Sequence, residues 1–525
     1  MKKKELLCLV FVLVLACFFR LWKLDSIPPG LYPDVAINGN EAFESLKTGN
    51  FKVFYPENNG REGLFMWLIA LSFSIFGASV WSIKIVAAFC GILTVFGLYL
   101  FTKELFRNIK NGTLIALLSS FFLATSFWHT NFSRIGFRAI LMPLILVFGF
   151  YFLLKGLRKK EILNFIISGI LFGLGFYTYI SFRFIVILLP LILFPWWLRY
   201  RKQNLKKVFI FNISCFLAAT FIVALPIGIY FLKNPQDFVG RATSVSIFTT
   251  KNPAKELCKS FILHLGMFNF YGDSNWRHNI SGSPILFWPV GILFLIGFCY
   301  STKEIISKKS LAISHWSLVI WFFTMLLPGI LTFEGIPHAL RCIGSICPTF
   351  IFSGIGGALL FEIIKKRILL LKRGLFRSLM IFNLFLLFFS FILAQYFRYF
   401  ELWAKNPKVK DAFSENLLNI GKYLNSLPES TQKYVIVNLS GVPVPYPHGI
   451  PMPAQTPQFI ETTKFGKPRA VYLLPENLDK IKIISEKDVV ILPMISDGKL
   501  LAQLLQKFPQ GEIKEKNGIL IYEIK

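Results

Sequence analysis

Two acidic residues in one polar segment near the N-terminus are the strongest candidates for chemistry. Asp34 follows the stiff run PPGLYP (28–33), and Glu62 lies in NGREG (59–63) at the end of the segment. A carboxylate beside an apolar surface is partly desolvated, which raises its basicity and suits a general base. Asp34 is the candidate base, and Glu62 is a candidate to position a hydroxyl or, with Asp34, to hold a divalent cation. The simpler interpretations are that Asp34 caps a helix and that Glu62 is a solvated charge at a helix N-terminus.

Basic residues at the ends of later apolar segments form a second group. Arg138 ends SRIGFR, Tyr177 and Arg183 bound YTYISFR, and His338 and Arg341 lie in EGIPHALR. Guanidinium groups suit bidentate recognition of phosphate. These side chains are therefore candidates for binding one shared anionic ligand, with simple anchoring at the membrane interface as the alternative.

A third polar motif, YGDSNWRHN (271–279), is dense in hydrogen-bonding groups. A carboxylate with an aromatic face is a common combination for holding a sugar ring, which makes Asp273 and Trp276 candidate substrate ligands. A structured surface turn is the alternative. The histidines of the chain are too scattered in sequence to predict a metal site.

The composition places these motifs in a membrane protein. Of the 525 residues, 54% are hydrophobic and 16% charged, and a soluble protein of this size could not bury that much apolar surface. The net charge of +29 comes from lysines and arginines that lie between apolar segments rather than on one amphipathic face. We interpret them as topology signals and contacts to anionic membrane lipids, and we expect no nucleic-acid binding.

The apolar segments predict an all-α polytopic domain of about eleven transmembrane helices. Residues 64–77 are apolar but short, and we expect them to form a helix lying at the outer interface. The predicted spans are 6–22, 80–101, 113–128, 139–154, 162–180, 184–198, 208–231, 284–300, 312–332, 342–363 and 375–396.

The distribution of basic residues predicts the orientation. With this layout the inner gaps carry 24 lysines and arginines, and the short outer gaps carry four. Basic loops stay in the cytoplasm, so the N-terminus is predicted to be inside, on an uncleaved first span of a cell-membrane protein (the inner or plasma membrane). The loops 23–63 and 232–283 then lie outside, the second of them containing Cys258.

The composition changes after the last predicted span. Segments 434–439, 470–474 and 489–492 have the pattern of short buried strands, and 417–427 and 499–508 have helical periodicity. Asn517-Gly518 between two apolar runs predicts a hairpin. We therefore expect a transmembrane catalytic domain over residues 1–398 and a small extracytoplasmic α/β domain over residues 399–525.

The order of these parts resembles the polytopic GT-C glycosyltransferases, in particular the group containing protein O-mannosyltransferases and the bacterial aminoarabinose transferase. An inner N-terminus and first span precede an outer loop with an acidic motif, a Gly-Arg-Glu turn and an interfacial helix. The stretches SRIGFRAILMPL, GLGFYTYISFRF, GDSNWRHN and EGIPHALRCIGSICP are similar to those of bacterial members. The similarity covers about residues 1–365.

The resemblance implies an inverting transfer of a sugar from a polyprenyl-phosphate carrier to a hydroxyl on protein, lipid or glycan at the outer face. Asp34 matches the acidic loop residue proposed as general base in the family, and Glu62 matches an acidic residue that helps to bind metal in some members. Arg138 and Arg341 would hold the carrier phosphate, assisted by His338. A divalent cation is the only cofactor implied.

One departure from the family pattern bears on the cofactor. Many relatives have Asp-Glu where this chain has Asp34-Val35, which weakens the expectation of a metal and leaves Asp34 as the sole acid of the motif. Two other functions stay open from the sequence: a transporter or flippase for a lipid-linked sugar, and a non-catalytic envelope assembly protein or receptor.

Overall fold

The structure is a computed structural model, and it describes residues 3–307, 312–370, 374–484, 488–516 and 518–524. Its helices are, in chain order, α1 (Lys3–Leu21), α2 (Pro33–Thr48), α3 (Leu64–Phe76), α4 (Val80–Leu105), α5 (Gly112–Thr125), α6 (Phe127–Phe132), α7 (Leu141–Lys159), α8 (Ile162–Gly175), α9 (Ile185–Lys202), α10 (Lys206–Lys233), α11 (Pro235–Ser244), α12 (Pro253–Gly266), α13 (Trp288–Ile306), α14 (Ala312–Thr324), α15 (Leu327–Ile330), α16 (Ile346–Leu370), α17 (Leu375–Tyr396), α18 (Pro407–Ala412), α19 (Glu415–Ser426), α20 (Gln455–Phe465) and α21 (Gly498–Lys507).

The strands are few and short, and they concentrate near the C-terminus. They are β1 (Phe54–Tyr55), β2 (Arg61–Glu62), β3 (Gln432–Ile436), β4 (Pro443–Val444), β5 (Ile450–Pro451), β6 (Val471–Leu473), β7 (Val489–Pro493), β8 (Glu512–Lys516) and β9 (Ile519–Ile524).

The chain divides into two compact units that do not follow the linear order. The helical unit contains Met1–Leu24 and Ala87–Lys405, and the mixed unit contains Asp25–Val86 and Asn406–Lys525. The first polar segment, expected to belong to the transmembrane domain, thus packs with the C-terminal α/β domain. The contact-based division near the C-terminus falls between Lys405 and Asn406, and the domain boundary near residue 398 stays a prediction.

Each of the eleven predicted spans coincides with a helix, but the count of eleven membrane crossings is not confirmed. Eight helices of the described residues are long and apolar enough to cross a membrane. Helices α5 and α8 have 14 residues each, which is about 21 Å of helix against a hydrocarbon core of roughly 30 Å. Helix α1 has 19 residues, but four of them, at its two ends, are charged.

Small residues let the helices of the helical unit approach closely, as is common between membrane helices. A Cβ on Gly297 in α13 would lie 1.8 Å from the Phe352 carbonyl oxygen of α16, and one on Gly356 in α16 would lie 2.0 Å from the Leu293 oxygen of α13. The backbones of α13 and α16 are therefore in direct contact at these glycines.

Two buried arginines fix the end of α1 within the same unit. Arg134 donates to the carbonyl oxygens of Phe19 (3.0 Å) and Trp22 (2.7 Å), which the end of a helix leaves unpaired. Arg20 donates to the Ala124 oxygen at 2.8 Å. Arg134 is thus bound to backbone oxygens rather than presented to a ligand.

The C-terminal part of the mixed unit is a five-stranded sheet in the order β6-β3-β7-β9-β8. Strands β6, β3 and β7 are parallel, and β9 and β8 complete the sheet antiparallel. Alternate residues face opposite sides, so that Val435 packs with α19 and Ile436 lies in the cluster with α21. The predicted strands and helices of this domain are confirmed; Asn517 of the predicted hairpin lies outside the described residues, while Lys516 pairs with Ile519.

Candidate functional site

Asp34 lies in the first turn of α2, in the mixed unit. The N-cap residue of α2 is Tyr32, whose own side chain makes no capping hydrogen bond. The interpretation of Asp34 as a capping residue is therefore wrong. Within the described part of the chain its half-buried carboxylate has no hydrogen-bond or ion-pair partner, so that it is available to a proton donor from outside the protein.

Glu62 lies on β2 and is 3% exposed. It is paired opposite Phe54 of β1 rather than solvated at the start of α3, which corrects the simpler interpretation of this residue. Its neighbour Arg61 is also buried and contacts Glu41 of α2 at 2.7 Å and the Asn38 oxygen at 2.8 Å. The short β1–β2 ladder thus brings the end of the polar segment back against α2.

The Glu41–Arg61 pair was not identified from the sequence. Burial raises the pKa of Glu41, and the Arg61 guanidinium opposes that rise. A buried ion pair that loses one partner leaves an uncompensated charge. The pair therefore constrains the face of α2 turned toward the β1–β2 ladder.

The helical unit holds a second cluster, which we call the Asp273 triad: Asp273, His278 and His338. Their ligand atoms all lie within 4.8 Å of one another. His278 Nδ1 lies 2.9 Å and His338 Nδ1 3.9 Å from Asp273 Oδ2, and the two imidazole rings are 4.9 Å apart. The histidines are too scattered in sequence to predict a metal site, and the folding of two distant loops brings two of them together with Asp273.

Backbone groups hold the triad in place. Asp273 Oδ2 accepts the Ala339 amide at 2.8 Å, and Oδ1 accepts the Asn275 amide at 2.8 Å. The His338 amide donates to Nε2 of His264 at 3.1 Å. Asp273 is only 1% exposed, so the cluster is built into the fold rather than displayed on a flexible surface.

The chemistry of the triad follows from the protonation of its histidines. Burial, and then the positive field of His278 and Arg341, hold the pKa of His338 well below its usual range. His338 is therefore neutral near pH 7, the form that binds metals. Zinc ligands lie about 2.0–2.2 Å from the ion, so ligand atoms must approach to roughly 3–3.5 Å of one another. The observed separations need only small side-chain adjustments to reach that range.

Arg341 borders the triad but is engaged with its own loop. Its guanidinium donates to Thr332 Oγ1 at 2.8 Å, to the Glu334 carbonyl at 2.7 Å and to Glu334 Oε2 at 3.0 Å. Glu334 is largely exposed and also contacts Arg241 at 3.4 Å. An anionic ligand would therefore compete with Glu334 for Arg341.

Two of the predicted ligands have contacts that serve the fold. The Tyr177 hydroxyl donates to the Val223 carbonyl oxygen at 2.9 Å and accepts the Ile227 amide at 3.3 Å. Both backbone groups belong to α10 and lie next to Pro226, which interrupts the hydrogen bonds of that helix. Arg183 donates to the Phe238 carbonyl at 2.5 Å and lies over the Phe238 ring at 4.2 Å. These contacts fix α10 and α11.

Arg138 and Trp276 are placed differently. Arg138 is half-buried in a short 3-10 turn before α7 and lies over the Tyr179 ring at 5.4 Å. Trp276 is half-buried in the loop of the Asp273 triad, and its carbonyl accepts the Trp403 indole at 2.9 Å. Asp34 and Glu62 belong to the mixed unit, and the seven other predicted ligands belong to the helical unit.

The sequence contained one signal for the triad. His278 follows Asp273 by five residues in a motif already selected for its polarity, and His338 lies in a second selected motif. Both loops fall on the same predicted side of the membrane. What the sequence could not show is that Ala339 and His264 hold the second loop against the first.

Comparisons with known proteins support the resemblance. Residues 64–230 match the family model described as dolichyl-phosphate-mannose-protein mannosyltransferase. The structure of ArnT from Cupriavidus metallidurans bound to undecaprenyl phosphate aligns with a TM-score of 0.56 at 13% identity, over 100% of this chain and 98% of that chain. The archaeal oligosaccharyltransferase AglB from Archaeoglobus fulgidus, in complex with an inhibitory peptide and a dolichol-phosphate, aligns with a TM-score of 0.50 at 14% identity, over 82% of this chain and 62% of that chain. No curated protein matches the sequence.

Identities of 13% and 14% establish the fold and not the substrate. The ArnT likeness covers both units, and the mannosyltransferase match begins at α3 and ends in α10. The resemblance found in the sequence is confirmed at the level of fold: the chain has the GT-C glycosyltransferase fold.

Proposed function

We propose that the protein is a membrane glycosyltransferase that moves a sugar from a polyprenyl-phosphate carrier to a hydroxyl acceptor at the outer face of the cell membrane. The observation that carries this proposal is the likeness to ArnT over the full chain, in a structure of ArnT that is bound to undecaprenyl phosphate. The acceptor is a hydroxyl on protein, lipid or glycan.

Asp34 is the general base in this proposal. It removes the proton of the acceptor hydroxyl while the oxygen forms a bond to the anomeric carbon. The bond from that carbon to the phosphate oxygen breaks on the opposite face, its electron pair leaves with the phosphate, and the configuration inverts. Phosphate is a good leaving group, so one base suffices. The support from the structure is that this carboxylate is half-buried and unpartnered among the described residues, as a base must be before substrate binds.

Arginines stabilise the charge that develops on the leaving phosphate. Arg138 is the better candidate of the two predicted from the sequence, because it is half-buried and its planar group rests on Tyr179. Arg341 takes part after exchanging Glu334 for the phosphate. Glu62 supports Asp34 through the β1–β2 ladder in this scheme.

The cofactor in this proposal is a divalent cation bound by the Asp273 triad rather than by Asp34 and Glu62. Three buried or half-buried N and O ligands, with His338 neutral, fit Zn²⁺ or a similar ion. When bound, the ion supplies positive charge near the loop that carries Trp276. Asp273 and the two histidines also orient one another in the absence of an ion, through the hydrogen bond from His278.

The test is transfer of a radiolabelled sugar from a synthetic polyprenyl-phosphate donor by the purified protein. We expect Asp34→Asn to reduce kcat by at least a hundredfold, because an amide cannot accept the proton. Asp25→Asn is the matched control, since Asp25 is an exposed acid of the same segment. Equal rates for wild type and Asp34→Asn would remove the general base from the proposal, and transport without transfer would favour a flippase.

A further inference from the structure

The helix that carries Asp34 is held by a helix more than 400 residues later in the chain. Helix α2 packs against α20 inside the mixed unit. We propose that Gln455 and Thr456, at the start of α20, are positioning residues that set the location of the Asp34 carboxylate. The inference rests on the proposed function of Asp34.

The first contact fixes the chain just before α2. The buried hydroxyl of Thr456 donates to the Leu31 carbonyl oxygen at 2.9 Å. Leu31 immediately precedes Tyr32, the N-cap residue, and lies three positions before Asp34. A shift of this carbonyl moves the first turn, and the carboxylate with it.

The second contact fixes α2 six residues beyond Asp34. The side-chain amide of Asn40 (Nδ2) donates to the backbone carbonyl of Gln455 at 3.1 Å and to its side-chain Oε1 at 2.9 Å. Asp34 therefore lies between two anchoring points that belong to adjacent residues of α20. Hydrogen bonds at two places on one helix fix its translation as well as its rotation.

Close packing leaves little room for adjustment between these anchors. A Cβ on Gly39 would lie 2.6 Å from the Phe459 ring of α20. Gly30 has φ +75, and a Cβ there would lie 2.3 Å from the Phe413 carbonyl. The segment 30–40 is thus clamped by the C-terminal part of the chain on both sides of Asp34. The carboxylate therefore has a defined position, although it has no hydrogen bond or ion pair to another described residue.

This arrangement assigns a positioning role to the C-terminal domain that does not require it to touch substrate. A displacement of about 1 Å at a reacting group can cost roughly a hundredfold in rate. Loss of one anchor should therefore reduce kcat more than it changes the KM for the lipid donor.

The experiment uses the full-length protein and three variants of α20. Thr456→Val removes the hydroxyl at nearly constant volume, and Thr456→Ser restores it. Thr462→Val is the matched control, because Thr462 lies on the same helix and donates only to the Gln458 carbonyl at 2.8 Å. We expect Thr456→Val to lower kcat about tenfold with KM for the donor changed less than twofold, and Thr456→Ser and Thr462→Val to stay within twofold of wild type.

Hydrogen–deuterium exchange of the peptide covering residues 31–40 gives a readout that is independent of activity. We expect faster exchange there in Thr456→Val and wild-type exchange in Thr462→Val. If Thr456→Val does not accumulate, Asn40→Ala breaks the second anchor and undergoes the same measurements. The inference would be overturned if Thr456→Val, or Asn40→Ala in its place, left both kcat and the exchange rate unchanged. It would also be overturned if Thr462→Val lowered kcat as much as Thr456→Val does.

The outcome also separates this inference from the proposed function. If Asp34→Asn retains transfer, Asp34 is not the general base, while the hydrogen–deuterium exchange data still show whether α20 holds α2. If Asp34→Asn is inactive and Thr456→Val is fully active, the base stands and the positioning role falls.

Discussion

The Asp273 triad shows how one carboxylate can organise two histidines. Asp273 accepts two backbone amides and the Nδ1 proton of His278, and these bonds fix the His278 ring. Such a carboxylate–histidine contact is the usual way of orienting a metal ligand. The same contact would persist without an ion, so metal binding must be measured directly.

We expect the purified protein to bind one Co²⁺ per chain at this triad, with the visible absorption of a low-coordinate site. Asp273→Asn and His278→Ala should each weaken binding by at least tenfold, because each removes one ligand. His448→Ala, an exposed histidine outside the triad, is the control. A titration in which all four proteins bind alike would show that the triad is a hydrogen-bonded cluster only.

His264 predicts a pH dependence of stability. Burial lowers its pKa from 6.5 to about 4. Its Nδ1 bonds to the Ser260 carbonyl at 2.8 Å and its Nε2 accepts the His338 amide, so the neutral ring is required in the folded protein. Below pH 6.5 His264 binds a proton in the unfolded chain, whereas in the folded chain it binds one only when the pH reaches about 4.

The contribution of neutral His264 to the free energy of unfolding is therefore fully present above pH 6.5, and it is lost as the pH falls toward 4. The loss is on the order of 1–3 kcal/mol. We expect the apparent Tm of wild type in detergent to fall between pH 7.5 and 4.5 more than that of His264→Gln. Parallel declines in the two proteins would contradict the assignment to His264.

At the scale of elements, helix contacts in the helical unit depend on glycine. Gly356 faces the Leu293 carbonyl of α13, and an added Cβ would require the two helices to separate. Overpacking of this kind costs about 1–3 kcal/mol. At Gly228 in α10 an added Cβ would have no atom of the described residues within 4 Å, so it provides a matched position in open space.

We expect Gly356→Ala to lower the apparent Tm by several degrees and Gly228→Ala to leave it unchanged or slightly raised, since alanine favours a helix over glycine. Thermal unfolding in detergent followed by far-UV circular dichroism measures both. Equal effects at the two positions would show that helix propensity, and not the close approach of α13 and α16, controls stability.

The elements of the C-terminal domain were the easiest to predict. Short apolar runs and helical periodicity over residues 417–508 located β3, β6, β7, α19 and α21. Loop 232–283 contains α11 and α12 in addition to the polar motif at 271–279. Both helices begin at a proline that follows an asparagine, Asn234-Pro235 and Asn252-Pro253, and this pair of residues is a signal for the start of a helix.

At the scale of the whole molecule, basic residues predict the orientation. We expect Cys258, which is exposed, to react with a membrane-impermeant maleimide in intact cells when the other cysteines are replaced. A cysteine at exposed Lys202, at the end of α9, should react only after lysis, because its loop is rich in positive charge. The opposite pattern of labelling would place Asp34 on the wrong side for a donor in the outer leaflet.

Composition and the distribution of charge were sufficient to predict the class of protein, the helical segments and the positions of the polar motifs. These properties are local: an apolar run of sufficient length is a helix in lipid wherever it occurs in the chain. Asp34 and Asp273 were selected for the same reason, since each is a carboxylate in a polar motif next to apolar segments.

Only the tertiary structure decided what those residues contact. His278 and His338 lie 60 residues apart in the sequence and are in contact in the structure. The Tyr177 hydroxyl binds the backbone of α10, and Asp25–Val86 belongs to the same unit as Asn406–Lys525. Such contacts depend on which surfaces fit together and on the backbone groups left unpaired at helix ends and prolines. No local pattern of residue types encodes that fit, whereas the free energy of the folded chain depends on it directly.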